Sequence, residues 1–286
     1  MVYTDINSYF SNPEFDPEIF PENSVIVVDN PAYHVEGRDN ILILFEPIAI
    51  LPNNRHLTIQ NIDNFHTVYT CDDVILAMFP GKAKKYIGTN GSWFPKKIPN
   101  IYEKEFNISS VTGSKCFPGV PGHHLRQILY YNQKLFPSNC IFFRSSHGDP
   151  LPEIGINPIV PSNAENWWCS GKEILFEKFQ FSIIIENSQQ TNFFTEKILD
   201  CLLTKTIPIY WGCPNIGDFF DTTGWIIFHQ PKDILEKLHN LKSDYYNRYI
   251  GTINKNFEEA KKYQDFYKSF NRQARESNTP KVYEEL

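Results

Sequence analysis

The sequence predicts an α/β protein built as two lobes, and three observations carry that expectation. Short apolar runs rich in Val, Ile and Phe alternate with segments of helical periodicity along most of the chain. The run "FSIII" (181–185) is continuously apolar, as in a strand buried on both faces of a parallel sheet. At 286 residues the chain exceeds what one minimal core needs, and the Pro- and Lys-containing stretch "GSWFPKKIPN" (91–100) interrupts the alternation as a hinge would. The expected division is an N-terminal lobe over 1–95, a second lobe over 96–255, and a C-terminal helix and tail over 256–286.

Taken in order, "SVIVV" (24–28), "ILILF" (41–45), "TVYT" (67–70) and "KKYIG" (84–88) read as strands, each ended by polar or Gly/Pro residues. "CDDVILAMF" (71–79) reads as a helix capped by Asp72 or Asp73. Past the hinge, "NISSVT" (107–112) and "CIFFR" (140–144) read as strands. Between them "GHHLRQILYYNQKLF" (122–136) reads as a helix with Leu125, Ile128, Leu129 and Leu135 on one face. "FSIII", the helix "TEKILDCLLTK" with Ile198, Leu199, Leu202 and Leu203 on one side, and the strand "IPIYW" (207–211) form a crossover unit. Right-handed crossovers place the loop after the first strand at the carboxyl edge of the sheet, where open α/β sheets bind ligands. "PKDILEKLHNL" (231–241) and "NFEEAKKYQDFYKSF" (256–270) read as helices ahead of a charged tail.

Composition narrows the function. A formal net charge of −6 leaves no surplus of cations to release counterions from phosphates, so no nucleic-acid partner is expected. No run approaches the ~20 apolar residues of a membrane span, and "MVYTDINSYFSNPEF" has neither the basic start nor the apolar stretch of a signal peptide. The six cysteines form no C-x-x-C pair and have no His at zinc-finger spacing. They are read as reduced, mostly buried thiols of a cytoplasmic protein, and the N-x-S sequons at Asn90 and Asn107 as chance matches.

The polar dozen "ENSQQTNFFTEK" (186–197) lies on the carboxyl edge, between two segments suited to burial. Thr195 is placed to cap the helix that Glu196 and Lys197 begin, so the first turn offers N–H groups and the positive end of a dipole to an anion. Lys197 adds a full charge there. Glu196 suits a ribose diol as a hydrogen-bond acceptor, and Asn187 ends a buried strand where an amide needs a partner. A capped surface helix with a solvated Glu–Lys pair accounts for "TEK" alone; the surrounding crevice turns the reading toward a nucleotide diphosphate.

These residues carry a family likeness. "FSIIIENSQQTNFFTEKILDCLLTKTIPIYWGCPNIGDFF" (181–220) resembles the donor-binding motif of the α1,3/α1,4-fucosyltransferases of glycosyltransferase family 10. In that motif a strand ending in Phe-Glu-Asn-Ser precedes a Tyr-x-Thr-Glu-Lys helix start and then Ile-Pro-x-x-x-Gly. Weaker likenesses lie in "FEP" (45–47), "FHTVYTCDD" (65–73), "NGSWF" (90–94) and "SSVTGSKCFPGVPGHHLR" (109–126), so the resemblance spans roughly residues 41 to 220. It implies a GT-B architecture, an N-terminal acceptor lobe and a C-terminal lobe binding a guanosine-diphosphate sugar, with chemistry in the cleft and inversion at the anomeric carbon. It also implies roles. Arg126 and Lys197 would hold the diphosphate, Glu196 the ribose and Asn187 the donor, with Gly113, Ser114, Phe193 and Thr195 completing the donor site and Glu46 as the base. The expected partners are a nucleotide-sugar donor and a glycan or glycoconjugate acceptor, with no cofactor. Phe193 stands where the family has Tyr, which leaves open a UDP- or GDP-linked pentose or deoxyhexose as donor. A catalytically inactive protein that binds glycans or nucleotide sugars is the alternative from another class.

Inverting transfer needs a carboxylate within reach of the attacking hydroxyl and fixed positive charge where the diphosphate leaves. Glu46 follows "ILILF" and would supply the first; its competitors Asp72 and Asp73 read better as caps. The planar fork of Arg126 suits two phosphate oxygens. His123 and His124 are assigned no role, and neither Trp167 and Trp168 nor "YWG" (210–212) is read as a sugar platform. The chain has no Asp-x-Asp triplet, so metal-independent chemistry is expected, with Arg126 and Lys197 in the cation's place.

Overall fold

The structure is a computed structural model that describes residues 2–4, 15–20, 22–87, 91–92, 100–146, 149, 151–161 and 171–278. The middle of the expected hinge (93–99), Asn90, Trp167, Trp168, Cys169 and the tail beyond residue 278 lie outside the described residues. The chain divides into two compact units, the first made of 1–90, 190–193 and 265–286, the second of 91–189 and 194–264.

Among its described residues the first unit holds a parallel sheet in the order β1 (Val2–Thr4), β2 (Ser24–Val28), β3 (Asp39–Ile43), β4 (Thr67–Thr70) and β5 (Ala83–Lys85). Alternate side chains of a strand point to opposite faces. Here Ile26, Ile41, Ile43 and Tyr69 fill one face, and Val25, Val27, Leu42 and Val68 the other. The second face is covered by Ile75 of α2 (Asp73–Met78) together with Ile62 and Phe65, which follow α1 (Asn54–Gln60). The first face is covered from the far end of the chain by α8 (Phe266–Asn278), whose Phe270 lies 5.8, 5.1 and 4.8 Å from the rings of Phe20, Tyr69 and Tyr86. Asp72 is the cap of α2, accepting from Val74 N at 2.9 Å, and it also pairs with Arg55 at 2.7 Å. The strand expected over 41–45 stops at Ile43; Leu44 and Phe45 stay buried as loop residues, so burial overshoots the ladder.

In the second unit the described strands β6 (Glu105–Thr112), β7 (Cys140–Arg144), β8 (Phe179–Ile185), β9 (Ile207–Trp211) and β10 (Ile226–Ile227) form a parallel sheet in the order β10-β9-β8-β6-β7. From β6 the chain crosses through α3 (Pro121–Tyr131) to β7 on one side. From β8 it crosses through α4 (Glu196–Leu203) to β9 on the other. The order therefore reverses between β6 and β8, and the segments that follow these two strands flank the position where open sheets hold ligands. α3 buries Leu125 and Leu129 as its period predicts, but Ile128 and Leu135 remain exposed. The helix ends at Tyr131, and the tighter 3-10 turn Gln133–Leu135 takes Leu135 off its face.

After α5 (Pro231–His239) and α6 (Tyr245–Arg248), the single helix expected over 256–270 is two, α7 (Ile250–Ala260) and α8. Asp265 starts the second by accepting from Lys268 N at 3.0 Å, an N-cap contact. Residues 256–264 thus belong with the second unit and 265–286 with the first, rather than forming one appendage. Of the cysteines read as buried thiols, Cys71, Cys201 and Cys213 are buried, whereas Cys140 is half-buried and Cys116 is exposed in the loop ahead of α3. Among the described residues no helix is long and apolar enough to cross a membrane. Two parallel α/β units in one chain are the GT-B organisation that the resemblance implies.

Candidate functional site

Glu186 continues β8 by donating its N–H to Trp211 O at 2.9 Å, and its side chain is fully buried. A buried carboxylate is costly unless donors surround it. The turn before α4 supplies them: Thr195 N–H reaches Oε1 at 3.0 Å, Thr195 Oγ1 reaches Oε2 at 2.7 Å, and Lys197 Nζ lies 3.7 Å from Oε2. Gly212 makes the space, because a Cβ there would sit 2.6 Å from Glu186 Cγ and 2.5 Å from the Tyr210 hydroxyl.

Thr195 is also the N-cap of α4, its Oγ1 accepting from Lys197 N at 3.3 Å and from Lys197 Nζ at 3.1 Å. Lys197 Nζ donates to Glu196 Oε1 at 2.9 Å. Burial works against the Lys197 ammonium, but the Glu196 and Glu186 carboxylates outweigh it and hold the group above the usual lysine range. Burial likewise opposes the Glu196 carboxylate, yet Lys197 and Lys172 pull it below its ordinary value. Glu186 goes the other way: burial raises it more than Lys197 lowers it. The Lys197 side chain is 25% exposed, and its ammonium stays ionised against the two carboxylates.

The second cation arrives from α3. Pro121 opens that helix, and Gly122 donates its N–H to Asn187 O at 3.0 Å. A Cβ on Gly122 would fall 1.8 Å from Glu186 O, so only glycine lets the helix begin against this loop. One turn later Arg126 Nη2 donates to Asn187 Oδ1 at 2.9 Å and Nη1 to Ile185 O at 3.4 Å. Burial lowers the Arg126 guanidinium, while Glu186 and Glu196 raise it. Both cations also act on His123, whose imidazole is held down to about 4 by burial first and then by Arg126, Lys115, Lys197 and His124. His123 is therefore neutral near pH 7 and packs edge-on against Phe117, its Nδ1 accepting from Phe117 N at 3.3 Å.

Of the residues expected from the sequence, the structure brings Arg126, Asn187, Thr195, Glu196 and Lys197 into one network. Gly113 and Ser114 follow β6 at the same sheet edge, and Ser114 O accepts from Gln127 Nε2 of α3 at 3.3 Å. Glu46 and Phe193 belong to the first unit. Glu46 is exposed, with its N–H directed at the Asp29 carboxylate. Phe193 is buried and donates its N–H to Gln190 O at 3.2 Å. Sequence reasoning missed Glu186, Gly122 and Ser188. The signals were a carboxylate directly after the largely apolar run "FSIII", which demands partners, and a Pro-Gly pair opening a helix. Ser188 is buried with a hydroxyl that has no partner among the described residues, directly after Asn187. Among the described residues no group of three or more His, Cys, Asp or Glu is arranged to hold a metal ion.

Residues 168–285 match the family model described as glycosyltransferase family 10 (fucosyltransferase) C-term. The α-(1,3)-fucosyltransferase FucT of Helicobacter pylori is 30% identical over 89 residues, which are 29% of this chain and 19% of that protein. The chain thus aligns with under a fifth of this relative's length. Among solved structures, an α1,3-fucosyltransferase with GDP-fucose superposes with a TM-score of 0.46 at 15% identity, covering 90% of this chain and 79% of that one. TarM gives a TM-score of 0.50 at 12% identity over 90% of this chain and 55% of its own, a likeness of fold.

Proposed function

We propose that the chain, whose residues 168–285 match the glycosyltransferase family 10 model, is an enzyme of that family that transfers fucose from GDP-fucose to a glycan hydroxyl, with inversion and without a metal ion. One observation carries the reading: Arg126 from α3 and Lys197 from α4 are anchored on the consecutive residues Asn187 and Glu186, at the edge where the sheet order reverses. Such a pair suits a diphosphate. The Arg126 fork takes two oxygens, Lys197 adds a point charge, and the start of α4 contributes its dipole.

In the proposed reaction an acceptor oxygen forms a bond to the anomeric carbon as the bond from that carbon to the diphosphate breaks. The electron pair leaves with GDP, where the two cations stabilise it. The acceptor proton passes to Glu46 as general base. Glu196 meets the ribose, and Gly113, Ser114, Thr195 and Phe193 border the donor. Because Thr195 is already committed to Glu186 and Lys197, its part is to fix Lys197 rather than to spend its hydroxyl on the sugar.

The test is transfer from labelled GDP-fucose to a panel of glycans in EDTA. Product formation at an undiminished rate is expected; a strict requirement for manganese would refute metal independence. Phe193, which lacks the hydroxyl of the family's tyrosine, favours a second donor reading, a related nucleotide-linked deoxyhexose or pentose. Thermal stabilisation by a uridine nucleotide in preference to GDP would establish that reading in place of the first.

A further inference from the structure

Asp29 follows β2 directly and has a left-handed backbone, with φ of 50°, a conformation that Asp tolerates better than most residues. The turn keeps the ladder going on one side, Asp29 N donating to Ile43 O at 2.9 Å, and it aims the side chain at the loop that leaves the neighbouring β3. There the carboxylate accepts Phe45 N at 2.8 Å on Oδ1 and Glu46 N at 3.3 and 3.2 Å on Oδ1 and Oδ2. Asp29 O in turn accepts from Asn54 Nδ2 of α1 at 3.0 Å. Two residues past Glu46, Ile48 N donates to Gln190 Oε1 at 3.2 Å, and Gln190 Nε2 donates to Cys71 Sγ at 3.0 Å. The main chain of the Glu46 loop is therefore gripped by two side chains, one of them a carboxylate.

Resting on the reading of Glu46 as the base, we propose that Asp29 is its positioning residue, whose ionised carboxylate clamps the 45–46 main chain and releases it on protonation. Asp29 itself is poorly placed to take the acceptor's proton, because both its oxygens face main-chain N–H groups. Burial lifts the Asp29 carboxyl to about 7, against the pull of the Phe45 and Glu46 N–H groups, and the Glu46 charge lifts it further. The charged group acting on it is Glu46, and from α1 the Asn54 amide reaches its main-chain carbonyl. Above pH 7 the carboxylate accepts the two N–H groups. Below it a carboxyl hydrogen competes with them, the loop loosens and Glu46 is no longer held against its substrate.

The test has two arms. In the wild-type protein the amide resonances of Phe45 and Glu46 should shift together with a midpoint near pH 7. This reading needs neither a variant nor turnover, and amides that do not titrate there overturn the clamp. In the kinetic arm, Asp29→Asn should lower kcat by about 10- to 100-fold with the KM for GDP-fucose unchanged, as expected when a reacting group is misplaced. The low-pH limb of kcat near 7 should disappear with it. Combined with Glu46→Gln, Asp29→Asn should add nothing, since both changes act through one group. Additive losses would overturn the proposal. Full turnover in Glu46→Gln would overturn the base assignment itself, and this inference with it, even where the amides titrate.

Discussion

Lys197→Ala removes an ammonium that sits 2.9 Å from Glu196 Oε1 and 3.7 Å from Glu186 Oε2. The stranded carboxylates are 5% and 0% exposed, so neither can turn to water. Removing one partner of a wholly buried pair costs about 3–5 kcal/mol, and of an exposed pair about 0–1. Because Lys197 is 25% exposed, the loss falls between these limits; we expect about 2 kcal/mol, or roughly 4–8 °C in Tm for a chain of this size. The ligand effect is separate. A lost charge-assisted hydrogen bond to the diphosphate is worth about 1.5–3 kcal/mol, roughly 10- to 100-fold in Kd. GDP at about 100 times the wild-type Kd stabilises the native state by about 2.7 kcal/mol, whereas at a hundredfold weaker Kd the same concentration gives about 0.4. Scanning fluorimetry with and without GDP reads both effects in one experiment, and turnover should fall by roughly 10²–10³. A GDP-induced shift equal to that of the wild type, with turnover within about threefold, would refute the reasoning.

Two further outcomes follow from the geometry. Gly122→Ala places a Cβ 1.8 Å from Glu186 O; it should cost about 3 kcal/mol or more and abolish the GDP-induced shift, as measured by urea midpoints and fluorimetry, because α3 must move and Arg126 with it. His123 has a folded-state value of about 4 against an ordinary 6.5. The unfolded chain therefore takes up this proton first as pH falls, so the contribution is complete above pH 6.5 and is lost progressively toward pH 4. His123→Gln should flatten the fall in urea midpoint between pH 7 and 4.5; an equally steep fall in the variant would show that another group is responsible.

The strands "SVIVV", "TVYT", "CIFFR" and "IPIYW" are legible residue for residue, because each is a short run rich in apolar and β-branched residues closed by turn residues. What escapes sequence reading is set by distant partners. Phe45 looks like strand because Tyr86 and Phe266 bury it, although the ladder has already ended. The break between α7 and α8 exists because Ile253 and Phe257 bury in the second unit while Phe266 and Phe270 pack into the aromatic face of the first. In the site, the Thr195 cap is a local offset and is visible; the link from Arg126 to Asn187 is not, since it depends on Gly122 admitting a helix against a loop sixty residues further along the chain. Asp29 is visible as a turn residue, but its hold on residues 45 and 46 comes from β2 and β3 being parallel neighbours.

The polypeptide passes from one unit to the other after Asn90, Gln189, Phe193 and Gln264. This stitching limits how such a protein can be recombined. A graft cut once at the first crossing would carry off α8, baring Phe20, Tyr69 and Tyr86 to water, and would part Gln190 from the loop it steadies. Exchange of the second unit between relatives is thus expected to succeed by residue replacement within it, or by chimeras that keep the host's residues 190–193 and its final helix, and not by swapping halves.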